Sequence, residues 1–184
     1  MTVSEESIRQ GLLTGLLGYH LRRAQSAVFA DFMKTMSDDQ MTPGQFGVLV
    51  LIDETPGLNQ SELARALGIE RSTMVGVIDQ LQDRGLVMRE KSPNDKRAHS
   101  LNLTDAGRDL LNAVKPRVVE HERRIAANLD PADRSALIDM LGRIADQATG
   151  RTAGTPVRAT SWAGNGHPDR AGFFRGRAGP SDPG

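Results

Sequence analysis

The sequence predicts a mainly α-helical fold with one small β-hairpin: a winged helix-turn-helix domain joined to a helical dimerisation lobe. Three observations predict it. Two short helical patterns separated by a turn lie between Asn59 and Leu81. Two strand patterns follow from Leu86 to Leu103, with a charged, Pro-containing tip between them. Long amphipathic helical patterns flank this unit on both sides. The middle segment has the order of a DNA-reading helix and its wing, and the flanking helices are expected to hold it and pair it with a second copy.

The first long pattern runs from Ile8 to Met36 and is expected to be one helix, with residues 1 to about 8 fraying. Leu12, Leu13, Leu16, Leu17, Leu21, Ala24, Val28, Phe32 and Met36 form a stripe wide enough for two surfaces, one towards the winged domain and one towards a partner subunit. Gly11, Gly15 and Gly18 recur at spacings that permit close helix approach, or mark a weakly helical first turn. A polar, partly aromatic cluster sits among these leucines. Tyr19 and His20 can hydrogen-bond a phenol or carbonyl, and Arg22 or Arg23 can pair with a carboxylate or phosphate. The bland alternative is ordinary surface or interface contact. Thr42-Pro43-Gly44-Gln45 starts the next helix with an N-cap, Pro at N1 and Gln at N3. Phe46, Val48, Leu49, Leu51 and Ile52 make that helix central, and Pro56-Gly57 ends it.

Asn59 caps the first short helix and Glu62 completes a capping box. Leu63, Ala64 and Leu67 form its apolar stripe, Gly68 ends it, and Ile69 plugs the angle to the next helix. In the second short helix Met74, Val77, Ile78 and Leu81 recur at i, i+3, i+4 and i+7, which points them at the core. The opposite face carries Arg71, Ser72, Thr73, Val75, Gly76 and Asp79. Hydroxyls reach phosphates or base edges and Val75 can meet a thymine methyl. Gly76 costs a helix about 1 kcal/mol relative to Ala. Either close approach to DNA or drift on an exposed face accounts for it.

After Gly85 the period changes to that of half-buried strands, over residues 86–91 and 99–103. The tip between them, residues 92–97, is turn chemistry carrying Lys96 and Arg97. A long Arg at a hairpin tip can enter a minor groove, and Asp95 can hold Arg97 through a charge-assisted bond. Thr104 caps a helix expected to reach about Asn128, with Leu110, Leu111, Val114, Val118 and Ile125 on its apolar side and Pro116 expected to kink it. Asp130-Pro131 starts a last helix, to about residue 148, displaying Leu137, Ile138, Leu141 and Ile144.

This order resembles the MarR family of bacterial transcription regulators. The carrying residues are Ser72-Thr73, Leu81, Gly85-Leu86-Val87, Asp95, Arg97 and Leu103-Thr104, and the resemblance covers about Ile8 to Thr149. It departs at Gly76, where many members carry Arg or another polar residue, so base contacts assigned to that position do not carry over. The resemblance implies a homodimer on a pseudo-palindromic operator, repression of nearby genes, and release by a small, often phenolic ligand. The Tyr19–Arg23 stretch is similar to that of members sensing aromatic acids or their coenzyme A thioesters. The expected organisation is one domain over 8–149, with dimer helices 8–36 and 105–148, a DNA-binding lobe over 42–104, and a Gly/Pro/Arg-rich disordered tail over 150–184.

Composition narrows the alternatives. Zero cysteines exclude disulfides and thiolate metal sites and fit a reducing cytosol. No apolar run approaches the roughly 18 residues of a membrane span, and the acidic start MTVSEESIRQ lacks the cationic opening of a secretory signal. A cytoplasmic protein without membrane contact is expected. The net charge is zero, yet Arg65 to Arg97 holds seven cations against five anions, and the tail holds five Arg against two Asp. Local charge facing phosphate matters more than the total. The four histidines are scattered, His121-Glu122-Arg123-Arg124 lacks the second His of a zincin helix, and there is no phosphate loop or nucleophile elbow. Neither an enzyme, a metal site nor a cofactor is expected. Two other readings stay open: a winged helix that docks protein, which polar Arg71, Ser72 and Thr73 disfavour, and a DNA-binding regulator with no small-molecule effector.

Overall fold

The computed structural model describes residues 10–91 and 99–150, with side chains up to Glu90 and again from His99. The expected wing-tip residues Asp95, Lys96 and Arg97 and the tail over 151–184 lie outside the described residues. The chain divides into two units, one ending at Asp130 and one beginning at Pro131.

In the first unit a short 3-10 turn, Gly11–Gly15, precedes α1 (Leu17–Thr35). This corrects the expectation of a single helix from Ile8 to Met36. Leu16 is extended (φ −95°, ψ 119°) and Gly11 has φ +52°, so the helix cannot propagate through this start. The leucine stripe also sorts by position along the helix. Leu12, Leu13, Leu16 and Leu17 are exposed, whereas Phe32 and Met36 at the far end are in the core.

The helices of the winged lobe begin and end where their caps dictate. In α2 (Pro43–Glu54) the Thr42 hydroxyl accepts from the Gln45 amide at 3.2 Å, and the Gln45 side chain accepts from the Thr42 amide at 3.0 Å. Asn59 and Glu62 build the same reciprocal box at the start of α3 (Gln60–Leu67), which Gly68 ends at φ +64°. α4 spans Arg71–Asp83, and β1 (Val87–Lys91) pairs antiparallel with β2 (His99–Leu103), Val87 opposite Leu103 and Lys91 opposite His99. Thr104 starts α5 (Asp105–Ile125), accepting from the Gly107 amide and donating to the Gly85 carbonyl. The helix continues through Pro116 and ends at Ile125, a little short of the expected Asn128. A Cβ at Gly107 would sit 2.0 Å from the Leu86 carbonyl oxygen, so α5 packs on the wing's root at a distance no other residue allows.

One hydrophobic core joins these elements. Val48, Leu49 and Ile52 of α2, Leu63 of α3, Met74, Ile78 and Leu81 of α4, and Leu111 and Val114 of α5 are fully or almost fully buried. Val77, expected at the core, is only partly buried at its edge. At roughly 25 cal/mol per Å² of apolar surface removed from water, this shared burial anchors α4 on the core.

The second unit is represented by α6 (Pro131–Thr149), an amphipathic helix whose Leu137, Ile138, Met140 and Leu141 are exposed. Among the described residues no helix is long and apolar enough to cross a membrane.

Candidate nucleic-acid interface

The α4 helix divides cleanly. Met74, Ile78 and Leu81 have zero exposure, while Arg71, Ser72, Thr73, Val75 and Gly76 are all exposed on the other side. A Cβ built at Gly76 meets nothing within 4 Å, so no packing inside the protein requires glycine there. Asp79, on the same side, accepts from the Arg89 guanidinium of β1 at 2.7 Å and ties the wing to the helix. The helix start has no side-chain cap, which leaves first-turn amides and the positive end of the helix dipole open to an anion.

Several contacts fix the orientation of α4. Gln45, nearly buried, donates to the Gln80 side-chain oxygen at 3.0 Å while its own oxygen completes the α2 capping box. Arg84, just beyond the helix, donates to the Asp39 carbonyl at 2.7 Å and the Gln40 carbonyl at 3.3 Å. These residues sit in the turn after α1, where Gln40 takes a left-handed conformation (φ +47°). The other side of the same turn is gripped by α5: Arg117 donates to the Asp39 carboxylate and the Thr35 carbonyl.

That grip belongs to a polar seam between α1 and α5. Arg117, His121 and Arg124 stand at i, i+4 and i+7 of α5, facing Asp31, Thr35 and Asp39. Nδ1 of His121, a residue 1% exposed, lies 2.8 Å from the Asp31 carboxylate, and the imidazole meets the Phe32 ring edge-on at 5.3 Å between centroids. Arg124 donates to the same Asp31 oxygen at 2.5 Å and to the Thr35 hydroxyl at 2.8 Å. Hydrogen bonds from Arg124 and then His121 hold the Asp31 carboxyl below its ordinary range, against a smaller opposing effect of burial. On the outer side of α5, Arg123 likewise depresses Glu120. The sequence reading missed the seam. Its available signal was the helical spacing of Arg117, His121 and Arg124, but their partners lie about eighty to ninety residues away.

The Tyr19–Arg23 cluster lies at the start of α1. His20 Nε2 is 2.9 Å from the Thr14 carbonyl, Tyr19 meets His20 edge-on at 5.5 Å, and the Arg23 guanidinium lies 5.5 Å from the Tyr19 ring centre. Tyr19 is partly buried; His20, Arg22 and Arg23 are exposed. Three of the four thus form a local cluster on one helical turn. Among the described residues no group of His, Asp and Glu is arranged to hold a metal ion.

Comparison with known proteins places this geometry. The model of the MarR family matches residues 41–99. A putative transcriptional regulatory protein for the hcr operon of Thauera aromatica is 39% identical over 135 residues, covering 73% of this chain and 81% of the relative. The solved transcriptional repressor CouR, bound to a 23-mer DNA duplex, is 46% identical with a TM-score of 0.70, over 76% of this chain and 99% of that one. CouR bound to p-coumaroyl-CoA matches at 45% identity, again with a TM-score of 0.70, over 76% of this chain and 98% of that one.

Proposed function

The chain belongs to the MarR family of transcriptional regulators, and from that premise we propose a dimeric, sequence-specific DNA-binding repressor released by an aromatic acid or its coenzyme A thioester. The observation that carries the DNA reading is the α4 face. Arg71, Ser72, Thr73, Val75 and Gly76 are presented outward by a helix whose opposite side, at Met74, Ile78 and Leu81, is buried in the core. Arg71 and the hydroxyls take phosphates and base edges in the major groove, Val75 takes a thymine methyl, and Gly76 lets the backbone come close. Lys96 and Arg97 are the proposed minor-groove residues of the wing, with Asp95 as their proposed support. A homodimer presents two such units to a pseudo-palindromic operator, with 42–104 as the DNA-reading lobe and 8–36 and 105–148 as the dimer helices. The exposed leucines at the start of α1 and on α6 support this pairing. The p-coumaroyl-CoA complex of CouR, a near relative by sequence, supports the effector class. In this chain Tyr19, His20, Arg22 and Arg23 are the proposed ligand residues.

The test is fluorescence anisotropy on duplexes from the protein's own upstream region, across a salt series and then with p-coumaroyl-CoA and free aromatic acids. Tight, selective binding with a steep salt slope and release by one of these ligands is expected. Equal, weak binding on scrambled DNA would sink the operator reading, and a stable dimer after removal of residues 1–36 would sink the assigned dimer lobe.

A further inference from the structure

Burial of Met74, Ile78 and Leu81 anchors α4 on the core, but apolar contact is non-directional and leaves the tilt of a helix loosely set. Directional bonds gather towards the C-terminal end of α4 instead. Gln80 accepts from Gln45. Arg84 donates to the Asp39 carbonyl at 2.7 Å and the Gln40 carbonyl at 3.3 Å, while Arg117 of α5 donates to the Asp39 carboxylate. We infer that the turn over residues 37–40 is a brace that sets the tilt of α4 against α5, with Arg84 and Asp39 as its positioning residues, and that this tilt fixes the half-site spacing a dimer accepts; the second part rests on the DNA-binding reading above.

The turn is built to be stiff. Met36 and Met41 close its two ends in the core with no exposure, and the Met41 amide reaches the Met36 carbonyl at 3.5 Å. Between them Gln40 stands at φ +47°, a left-handed conformation that a residue with a side chain keeps only where its surroundings hold it there. The hold is double. Arg84 occupies two successive carbonyls, and Arg117 occupies the Asp39 carboxylate together with the Thr35 carbonyl at the end of α1. Asp39 thus serves two helices, giving its backbone oxygen to the end of α4 and its side chain to α5.

A second tie joins the same end of α4 to the start of α5. Gly85 turns the chain at φ +67°, its carbonyl accepts from the Thr104 hydroxyl at 2.6 Å, and the Thr104 amide donates to the Leu86 carbonyl at 3.1 Å. That tie alone is a pivot. Thr104 and Arg117 stand about 20 Å apart along α5 at a rise of about 1.5 Å per residue, so the brace converts the pivot into a fixing at two separated points. The lever is long. Ser72 lies about 18 Å along α4 from Arg84, so a tilt of about 10° moves it by about 3 Å, close to the roughly 3.4 Å step of one base pair. A two-fold partner repeats the displacement.

The test begins without DNA, on the full chain. The sequence has no cysteine, so Val75→Cys/Ala113→Cys, at two exposed positions, carries one spin label on α4 and one on α5. Diluted into unlabelled chain, it reports the α4–α5 distance within one protomer by pulsed EPR. Arg84→Ala should broaden that distribution, and Asp39→Asn should broaden it less, because the backbone oxygen stays. Arg84 is exposed, so the thermal midpoint should hold. Asp53→Asn, which cuts the ion pairs of α5 to α2 and leaves the turn alone, should not change the distribution. The unlabelled chain is then titrated on the upstream duplex it selects, and on the same duplex with one base pair inserted between the half-sites. The wild type should lose about tenfold on the insertion and Arg84→Ala about twofold. A merely weakened fold binds both duplexes less well in the same ratio. An unchanged distribution in Arg84→Ala, or one broadened equally by Asp53→Asn, would overturn the brace. A broadened distribution with the wild-type spacing ratio would overturn its role in spacing. If the wild-type chain selects no duplex, the DNA reading fails, and the distance measurement decides the brace alone.

Discussion

The α1–α5 seam and the outward face of the winged lobe are both rich in charge, and they treat it in opposite ways. In the seam, Asp31, Asp39, Arg117, His121 and Arg124 satisfy one another, and the described buried side-chain polar atoms all have partners. On the α4 face Arg71 stands without a carboxylate and the hydroxyls of Ser72 and Thr73 point to no described partner. A closed network sets the position of helices. An open one waits for something outside the molecule. The sum of charges does not distinguish them, which is why a chain of zero net charge can still leave Arg71 without a carboxylate on an exposed face.

Breaking the seam should produce the largest effect. His121→Ala removes a buried ring from between Asp31 and Phe32 and should cost about 3 kcal/mol of stability, as a lower urea midpoint. Stability within about 0.5 kcal/mol of wild type would mean that the seam does not hold α1 on α5. Changing the open face should do the reverse. Arg71→Ala should leave the urea midpoint in place and weaken DNA binding about tenfold, with a salt slope reduced by about one. A loss of stability with unchanged binding would move Arg71 to the structural side of the contrast.

Gly76→Ala sharpens the contrast further, because the two readouts should move in opposite directions. With open space at the Cβ position, the alanine should stabilise the fold by about 1 kcal/mol while reducing operator affinity. Affinity equal to wild type would show that the DNA backbone does not approach this turn. The smallest effect concerns acid. The Asp31 carboxyl lies below its ordinary value of 3.8 in the folded chain, so its contribution is complete above that pH and disappears as pH falls through the depressed native value. The difference in urea midpoint between wild type and Asp31→Asn should therefore narrow below about pH 3.8. A difference that stays constant down to pH 2 would remove the carboxylate from the seam's energetics.

What could be read from the sequence was local. The Thr42 and Asn59 capping boxes, the Gly68 terminus, the burial of Met74, Ile78 and Leu81, and the change to strand period after Gly85 all depend on residues within one or two turns of each other, and all appear as expected. The start of the first helix was misjudged because leucine periodicity continues through Gly11–Gly15, where the backbone leaves the helix. The Gln45–Gln80 bond, the Leu58–Leu101 pairing and the α1–α5 seam join residues dozens of positions apart, and no periodicity announces which partner a buried polar group will meet.

The exposure of Ser72, Thr73, Val75 and Gly76 has a consequence for the history of such a protein. These positions are exposed, so each is expected to change with little penalty to folding, while Gln45, Arg84 and the core behind α4 keep the helix in the same place. On the proposed reading of this face, target preference can drift one exposed position at a time, on a scaffold that need not be rebuilt. A library randomised at these four positions should remain folded almost throughout and differ mainly in the sequences it selects.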